Sequence, residues 1–243
     1  MKNKVSTLEQ CIANVKDGQT ILFGDWHGEL SAEEVITGVL EKGVKDIEAI
    51  AVSGGMPDQG VGRLIVNKQV KTLRTTHIGL NPVAKDQMFA GELEVEFIPQ
   101  GTFAERIRSA GFGLGGVLTP TGVGTDVANG KQVLNLNGKD YLLEMPIRGD
   151  VAIIKAWKGD TAGNVKFRLT ANATNYYMAF AADVVICEVE ELVEVGELGP
   201  DEIDVPAPVI DHIYVRKGEK KPFCPMWQRA KAKAEAKAAE GGK

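Results

Sequence analysis

The sequence predicts an α/β fold: an open, mostly parallel sheet with helices on both faces and an inserted β-hairpin element. Three observations carry that expectation. Strand-length runs at residues 20–23, 47–53, 70–76 and 92–98 alternate with loops and helical patterns through the first half of the chain, as βα units of a parallel sheet do. The runs at 20–23 and 151–157 are strongly apolar, which suits strands buried on both faces. Glycine-rich loops follow the strands, and the chain holds 28 glycines in 243 residues.

In order, Val5, Leu8, Ile12 and Val15 fall at helical spacing and Lys16-Asp17-Gly18 closes that helix. Strand 20–23 runs into Gly24-Asp25-Trp26-His27-Gly28, after which Ser31 is expected to cap a helix with Glu33 and Glu34 in its first turn. Strand 47–53 leads to Gly54-Gly55, strand 70–76 to Gly79-Leu80-Asn81, and helix 83–90 returns to strand 92–98. A hairpin is expected from strands 132–136 and 139–144 around Asn137-Gly138. Strand 151–157, a pairing run at 165–169, helix 175–182, strand 184–189, an extended proline-rich segment at 198–208 and strand 210–215 complete the reading.

No repeat recurs at a fixed period, and a single domain over residues 1–217 is expected, followed by an exposed tail at 218–243 that is basic and has no apolar face wider than alanine. A net charge of −5 argues against nucleic acid as the main partner. Cys11, Cys187 and Cys224 make no metal spacing, read as reduced thiols, and imply a cytoplasmic protein. The N-terminus has no apolar run of signal-peptide length and no stretch approaches a membrane span. No metal and no tightly bound cofactor are expected, since His27 has no second and third ligand at useful spacing.

Residues 91–127 look like a site. A strand of alternating acidic and apolar residues delivers Gln100 to a turn where Gly101 prevents crowding, and a helix N-terminus with unpaired backbone donors follows. Negative charge, present or developing, belongs there. The run Thr119-Pro120-Thr121-Gly122-Val123-Gly124-Thr125 lacks the Gly-Lys-Ser/Thr ending of a nucleotide loop.

GELEVEFIPQGTFAERIRSAGFG, TPTGVGT, LNGKDYLLEMPIRGDVAIIKAWKGDTAGNVKFR and VICEVEELVEVGELGPDEIDVPAPVIDHIYV together resemble the alpha subunit of family I CoA-transferases over roughly residues 15–215. The resemblance implies that family's open α/β fold, acyl-CoA and a short-chain carboxylate as substrates with coenzyme A as a substrate, an α2β2 assembly, and a nucleophilic glutamate on the beta subunit. It implies that Gln100 donates its amide to the thioester oxygen as it becomes an oxyanion, the alternative being that Gln100 only caps a turn. It also reads Thr121 and Gly122 as a turn lining the acyl site. Glu105 and Arg106 read as a structural ion network, and Trp157 as burial at a subunit interface.

The first glycine loop departs from the family pattern, with Asp25 for glycine, Trp26 for phenylalanine, Leu30 for glycine and Ala32 for proline. Trp26 can simply fill the phenylalanine volume, while Asp25 and His27 can bind a polar acyl group or do acid–base work. Ser53, Gly54 and Gly55 either let backbone approach the acyl group or pantetheine closely, or form a plain turn. Asn81 lines the pocket or caps the next helix. Three functions fit: a CoA-transferase alpha subunit, a CoA-thioester hydrolase or carbon–carbon lyase on the same fold, and a non-catalytic acyl-CoA-binding subunit.

Overall fold

Seven parallel strands lie in the order β11-β10-β8-β1-β2-β3-β4 in the computed structural model, which describes residues 2–26, 30–218, 231–233 and 235. In chain order the elements are α1 (Leu8–Ile12), β1 (Thr20–Phe23), α2 (Glu33–Lys42), β2 (Ile47–Ala51), α3 (Val61–Val66), β3 (Val70–Thr75), α4 (Pro82–Phe89), β4 (Glu94–Phe97) and α5 (Gln100–Gly111). There follow β5 (Val117–Thr119), β6 (Val133–Leu136), β7 (Lys139–Glu144), β8 (Gly149–Asp160), β9 (Val165–Lys166), α6 (Thr174–Phe180), β10 (Ala182–Val193) and β11 (His212–Val215). Strand β9 pairs antiparallel with β8, and β5-β7-β6 form a separate antiparallel sheet. Asn137 and Gly138, with φ of 52° and 79°, turn the β6–β7 hairpin, as its Asn-Gly pair requires.

Alternate residues of β1 face opposite cores, which explains its unbroken apolar run. Ile21 and Phe23 pack with Val35, Ile36 and Val39 of α2 on one face. Leu22 packs on the other face with Phe103 and Ile107 of α5 and Met178 of α6. Strands β2 to β4 carry charge toward α5. There Glu48, Arg74, Glu96 and Arg106 form a charged ladder with successive contacts of 3.0, 2.9 and 2.9 Å. No helix among the described residues is long and apolar enough to cross a membrane.

Several boundaries differ from the sequence expectation, each for a local reason. The first helix starts late, because Thr7 accepts from the Gln10 amide and the Gln10 side chain accepts from the Thr7 amide. That capping box leaves Val5 to bridge β11 at Ile213. Strand β5 joins the expected hairpin as a third strand through Leu118 and Leu143. Strands β8 and β10 run on together for several residues past 157 and 189.

The start of α2 is the most informative difference. Its N-cap is Ala32, with no side-chain cap, and Ser31 instead donates to Glu33 at 2.8 Å. The helix amides of Glu34 and Val35 donate to Glu188 Oε2, at 2.9 and 3.2 Å, from β10. Glu188 is fully buried, and its other oxygen, Oε1, has no hydrogen-bond partner among the described residues. Burial raises its carboxyl from the ordinary 4.5 to about 7, against the opposing pull of the two helix amides, Lys155 and Arg216. Burial also pushes the Cys11 thiol up to about 12, outside the reactive range. Cys187 is likewise a buried free thiol.

Two outcomes are expected. A methyl at Gly62 would sit 2.0 Å from the Met56 carbonyl oxygen, so Gly62→Ala should lower stability by about 2 kcal/mol or more in urea unfolding. Because the folded-state pKa of Glu188 is raised, its contribution is fully present below pH 4.5 and is lost as pH rises through about 7. Glu188→Gln should flatten the stability–pH profile in that window; an unchanged slope would contradict the linkage.

Candidate active site

Parallel strands deliver all their C-terminal loops to one edge of the sheet. Strands β2, β3 and β4 add outward on one side of β1, and β8, β10 and β11 add on the other. The order reverses between β1 and β8, and ligands of open α/β sheets bind in the crevice at such a reversal.

The loop after β1 lies at that reversal. Gly24 donates to the Ile153 carbonyl of β8 at 3.0 Å. Beyond it, Asp25 is buried, its amide donates to Thr174 Oγ1 at 3.0 Å, and the same hydroxyl donates to the Asp25 carbonyl at 2.5 Å. Trp26 packs against the core of the second face, as do Tyr177 and Phe180 of α6. Burial, and then the Asp25 carboxylate, push the Tyr177 phenol above its usual range. Leu30, where the family pattern has glycine, has φ of 59°, so the glycine-like backbone is kept with a side chain that disfavours it. His27 and the neighbouring Gly28 lie outside the described residues.

The next two strand ends are tied into one unit. Ser53 pairs with His77, and its hydroxyl accepts from the Gly55 amide at 3.2 Å. Gly54 donates to the His77 carbonyl at 3.0 Å and accepts from Asn81 Nδ2 at 2.9 Å. Asn81 Oδ1 accepts from the Ala84 amide at 3.2 Å and caps α4. The Ser53 hydroxyl and the Asn81 amide are thus engaged by backbone, so this loop offers a ligand its main chain above all. Gly55 has φ of 62°, and a Cβ there would meet the Gly62 amide nitrogen at 2.8 Å.

At the end of β4, Gln100 is the first residue of α5 and exposed. The helix N-cap is Pro99, with no side-chain cap, and Phe103 donates to the Pro99 carbonyl at 2.8 Å. The amides of Gly101 and Thr102 therefore fall among the first-turn donors that a helix leaves without intrahelical partners. A Cβ at Gly101 would find open space. Thr102 is buried, and its hydroxyl has no hydrogen-bond partner among the described residues. Three strand spacings of about 4.8 Å put the ends of β4 and β1 about 14 Å apart, so Gln100 follows an outer strand of the sheet and Trp26 its central strand.

Thr121 and Gly122 are not drawn into this edge by any hydrogen bond among the described residues. They sit in the turn after β5, where Thr121 donates to Thr119 Oγ1 at 3.1 Å and Gly122 accepts from Thr125 Oγ1 at 2.8 Å. The 12-residue α5 separates Gln100 from that sheet. Arg106 binds Glu96 at 2.9 Å and the Met145 carbonyl at 2.8 Å, while Arg108 and Glu105 pair at 2.6 Å, so these groups hold α5 rather than reach the edge. Trp157 is half-buried, with Lys158 and Arg168 over its ring at 4.8 and 5.0 Å.

Thr102, Thr174 and Asn175 were not singled out from the sequence. The available signal was a Thr-Asn pair opening the helical run 175–182, which reads equally as a helix start. Because αL geometry costs a branched side chain roughly 1 kcal/mol, Leu30→Gly should leave stability unchanged or raise it by up to about that amount in thermal unfolding; a loss would mean that Leu30 contacts outweigh backbone strain.

Residues 5–216 match the family model described as Coenzyme A transferase. The alpha subunit of the acetate CoA-transferase of Escherichia coli K12 is 46% identical over 220 residues, covering 90% of this chain and all of that protein. The alpha subunit of the acetoacetyl-CoA:acetate/butyrate CoA transferase of Clostridium acetobutylicum is 41% identical over 213 residues, covering 88% of this chain and 98% of that protein. Among solved structures, an acyl-CoA transferase of Escherichia coli O157:H7 in a thioester complex with CoA superposes with a TM-score of 0.78 at 20% identity, over 92% of this chain and 49% of that one. The strand order, the edge and these likenesses agree: the chain belongs to the coenzyme A transferase family, among its alpha subunits.

Proposed function

We propose that this subunit serves a CoA-transferase that moves coenzyme A between a short-chain acyl-CoA and a carboxylate acceptor such as acetate. Coenzyme A is then a substrate rather than a resident cofactor. The nucleophile is a glutamate of a partner beta subunit in an α2β2 complex, working in the cytoplasm. The observation that carries the reading is Gln100, exposed at the start of α5 with its side-chain amide in no hydrogen bond within the described chain. The names of the two relatives, an acetate CoA-transferase and an acetoacetyl-CoA:acetate/butyrate CoA transferase, support the same substrate class.

In this mechanism the partner's carboxylate attacks the thioester carbonyl, forming a carbon–oxygen bond while the carbonyl π pair moves onto oxygen. Gln100 donates to that oxygen, and the first-turn amides of α5 add a positive potential without a formal charge. Collapse of the intermediate breaks the carbon–sulfur bond and releases the CoA thiolate with an acyl–glutamyl anhydride. The thiolate then attacks the glutamyl carbonyl, expelling the acyl group as a carboxylate, and the reverse sequence with the second carboxylate completes the exchange. One thioester replaces another, so the protein supplies positioning and oxyanion stabilisation rather than driving force.

Loss of one such donor costs on the order of 3 kcal/mol in other enzymes. Gln100→Ala in the assembled complex should therefore lower kcat about 100-fold or more, measured as acyl-CoA formation from acetate. Full activity in a correctly assembled variant would remove Gln100 from the mechanism.

A further inference from the structure

The paired residues of β1 and β8 end at Phe23 and Ile153, Gly24 adds one last bond to the Ile153 carbonyl at 3.0 Å, and β8 then continues beside β10. From that point the β8 amides facing β1 need other acceptors. Asn175 supplies one: its Oδ1 accepts from the Lys155 amide at 2.9 Å. The side chain reaches into the gap because residue 24 has none, since a Cβ on Gly24 would lie 2.1 Å from Asn175 Oδ1 and 2.8 Å from its Cγ. Asn175 is buried, and so is Thr174 beside it. Through one hydroxyl Thr174 fixes both the amide and the carbonyl of Asp25.

The wedge therefore stands at the reversal of strand order, where an open α/β sheet holds its ligand. It sets how far the Asp25–Trp26 lip stands from β8. Resting on the assignment of this edge as the transferase site, we infer that Thr174 and Asn175 are positioning residues that seat the lip and so determine which short-chain acyl groups and carboxylates the enzyme accepts. Neither needs to touch the reacting atoms. A small movement of a pocket wall changes the free volume by about a methylene group, and one methylene alters discrimination by roughly tenfold or more.

The test uses the complete complex with its partner subunit, comparing kcat/KM for acetate, butyrate and acetoacetate as acceptors. Thr174→Val keeps the shape and removes both hydrogen bonds, while Thr174→Ser keeps the hydroxyl. The valine variant and Asn175→Ala should change the butyrate-to-acetate ratio about tenfold, mainly through KM, and the serine variant should keep the wild-type ratio. A uniform fall in kcat with an unchanged ratio would make these residues merely structural and overturn the inference. Gly24→Ala should fail alone and recover in part with Asn175→Ala, which removes the two nearest collisions; no recovery would count against the wedge.

A second readout is independent of activity. With Trp157 and Trp227 replaced by phenylalanine, acrylamide quenching of Trp26 should rise in Thr174→Val and Asn175→Ala but not in Thr174→Ser. Unchanged quenching in the first two overturns the seating itself. A complex that transfers no CoA, yet shows the quenching pattern, would instead refute the functional assignment and leave the wedge in place.

Discussion

The parting of β1 and β8 is the constraint on which the rest of the edge depends. Two parallel strands that share a ladder cannot separate in a core without exposing backbone groups, and each buried group left unpaired costs about 1–3 kcal/mol. Here the Lys155 amide finds Asn175, and the amide and carbonyl of Asp25 find Thr174. Both partners come from the first turn of α6, so one short helix closes the gap from the second face. The backbone groups exposed where the two strands part are thus satisfied within the chain.

At its far end the same loop is held by carboxyl groups. The amides at the start of α2 are orphan donors in an apolar setting, and a carboxylate is the natural acceptor for them. Glu188 provides it from β10, while Glu33 accepts from the Gly60 amide at 2.7 Å and pairs with Arg63 at 3.2 Å. Glu34 accepts from the Tyr214 hydroxyl at 2.8 Å and from the Lys217 and Gly218 amides at 2.9 and 2.7 Å. Three carboxylates thus tie one helix start to β10, α3 and the end of β11. Burying Glu188 opposes its ionisation, and the helix amides oppose that cost, which leaves its carboxyl titrating near neutrality.

Local chemistry was legible in the sequence and distant chemistry was not. The strand–loop–helix alternation gave the parallel sheet, Asn137-Gly138 gave the hairpin, and Gln100-Gly101 before a helix gave a candidate donor, because each depends on neighbours within a few residues. Ser31 looked like the cap of α2, but the acceptor is Glu188, 154 residues away from the Glu34 amide it receives. Asn175 and Gly24 carry no mark of their relation, since nothing about either residue alone says that one side chain fills the space the other leaves. Leu30 marked a break in the family pattern, yet only its φ of 59° shows that the backbone there kept the glycine-like form.

On the proposed mechanism the edge is also chemically incomplete in a specific way. An oxyanion donor acts on charge that something else creates, and a carboxylate nucleophile must be ionised, accessible and aimed at the thioester carbon. Asp25 is buried and Glu188 is fully buried as a helix cap, while Glu190 pairs with Lys155 at 3.3 Å and Arg168 at 2.6 Å. Glu188 and Glu190 are committed to holding the fold. Gln100, in contrast, is exposed and uncommitted at a helix start, which is a poor use of a side chain in an isolated protomer and a sensible one where a second surface brings both the thioester and the attacking carboxylate. On the proposed mechanism the division of labour between subunits follows from this: a neutral donor can wait exposed to water at little cost, whereas the nucleophile must arrive with the surface that excludes water.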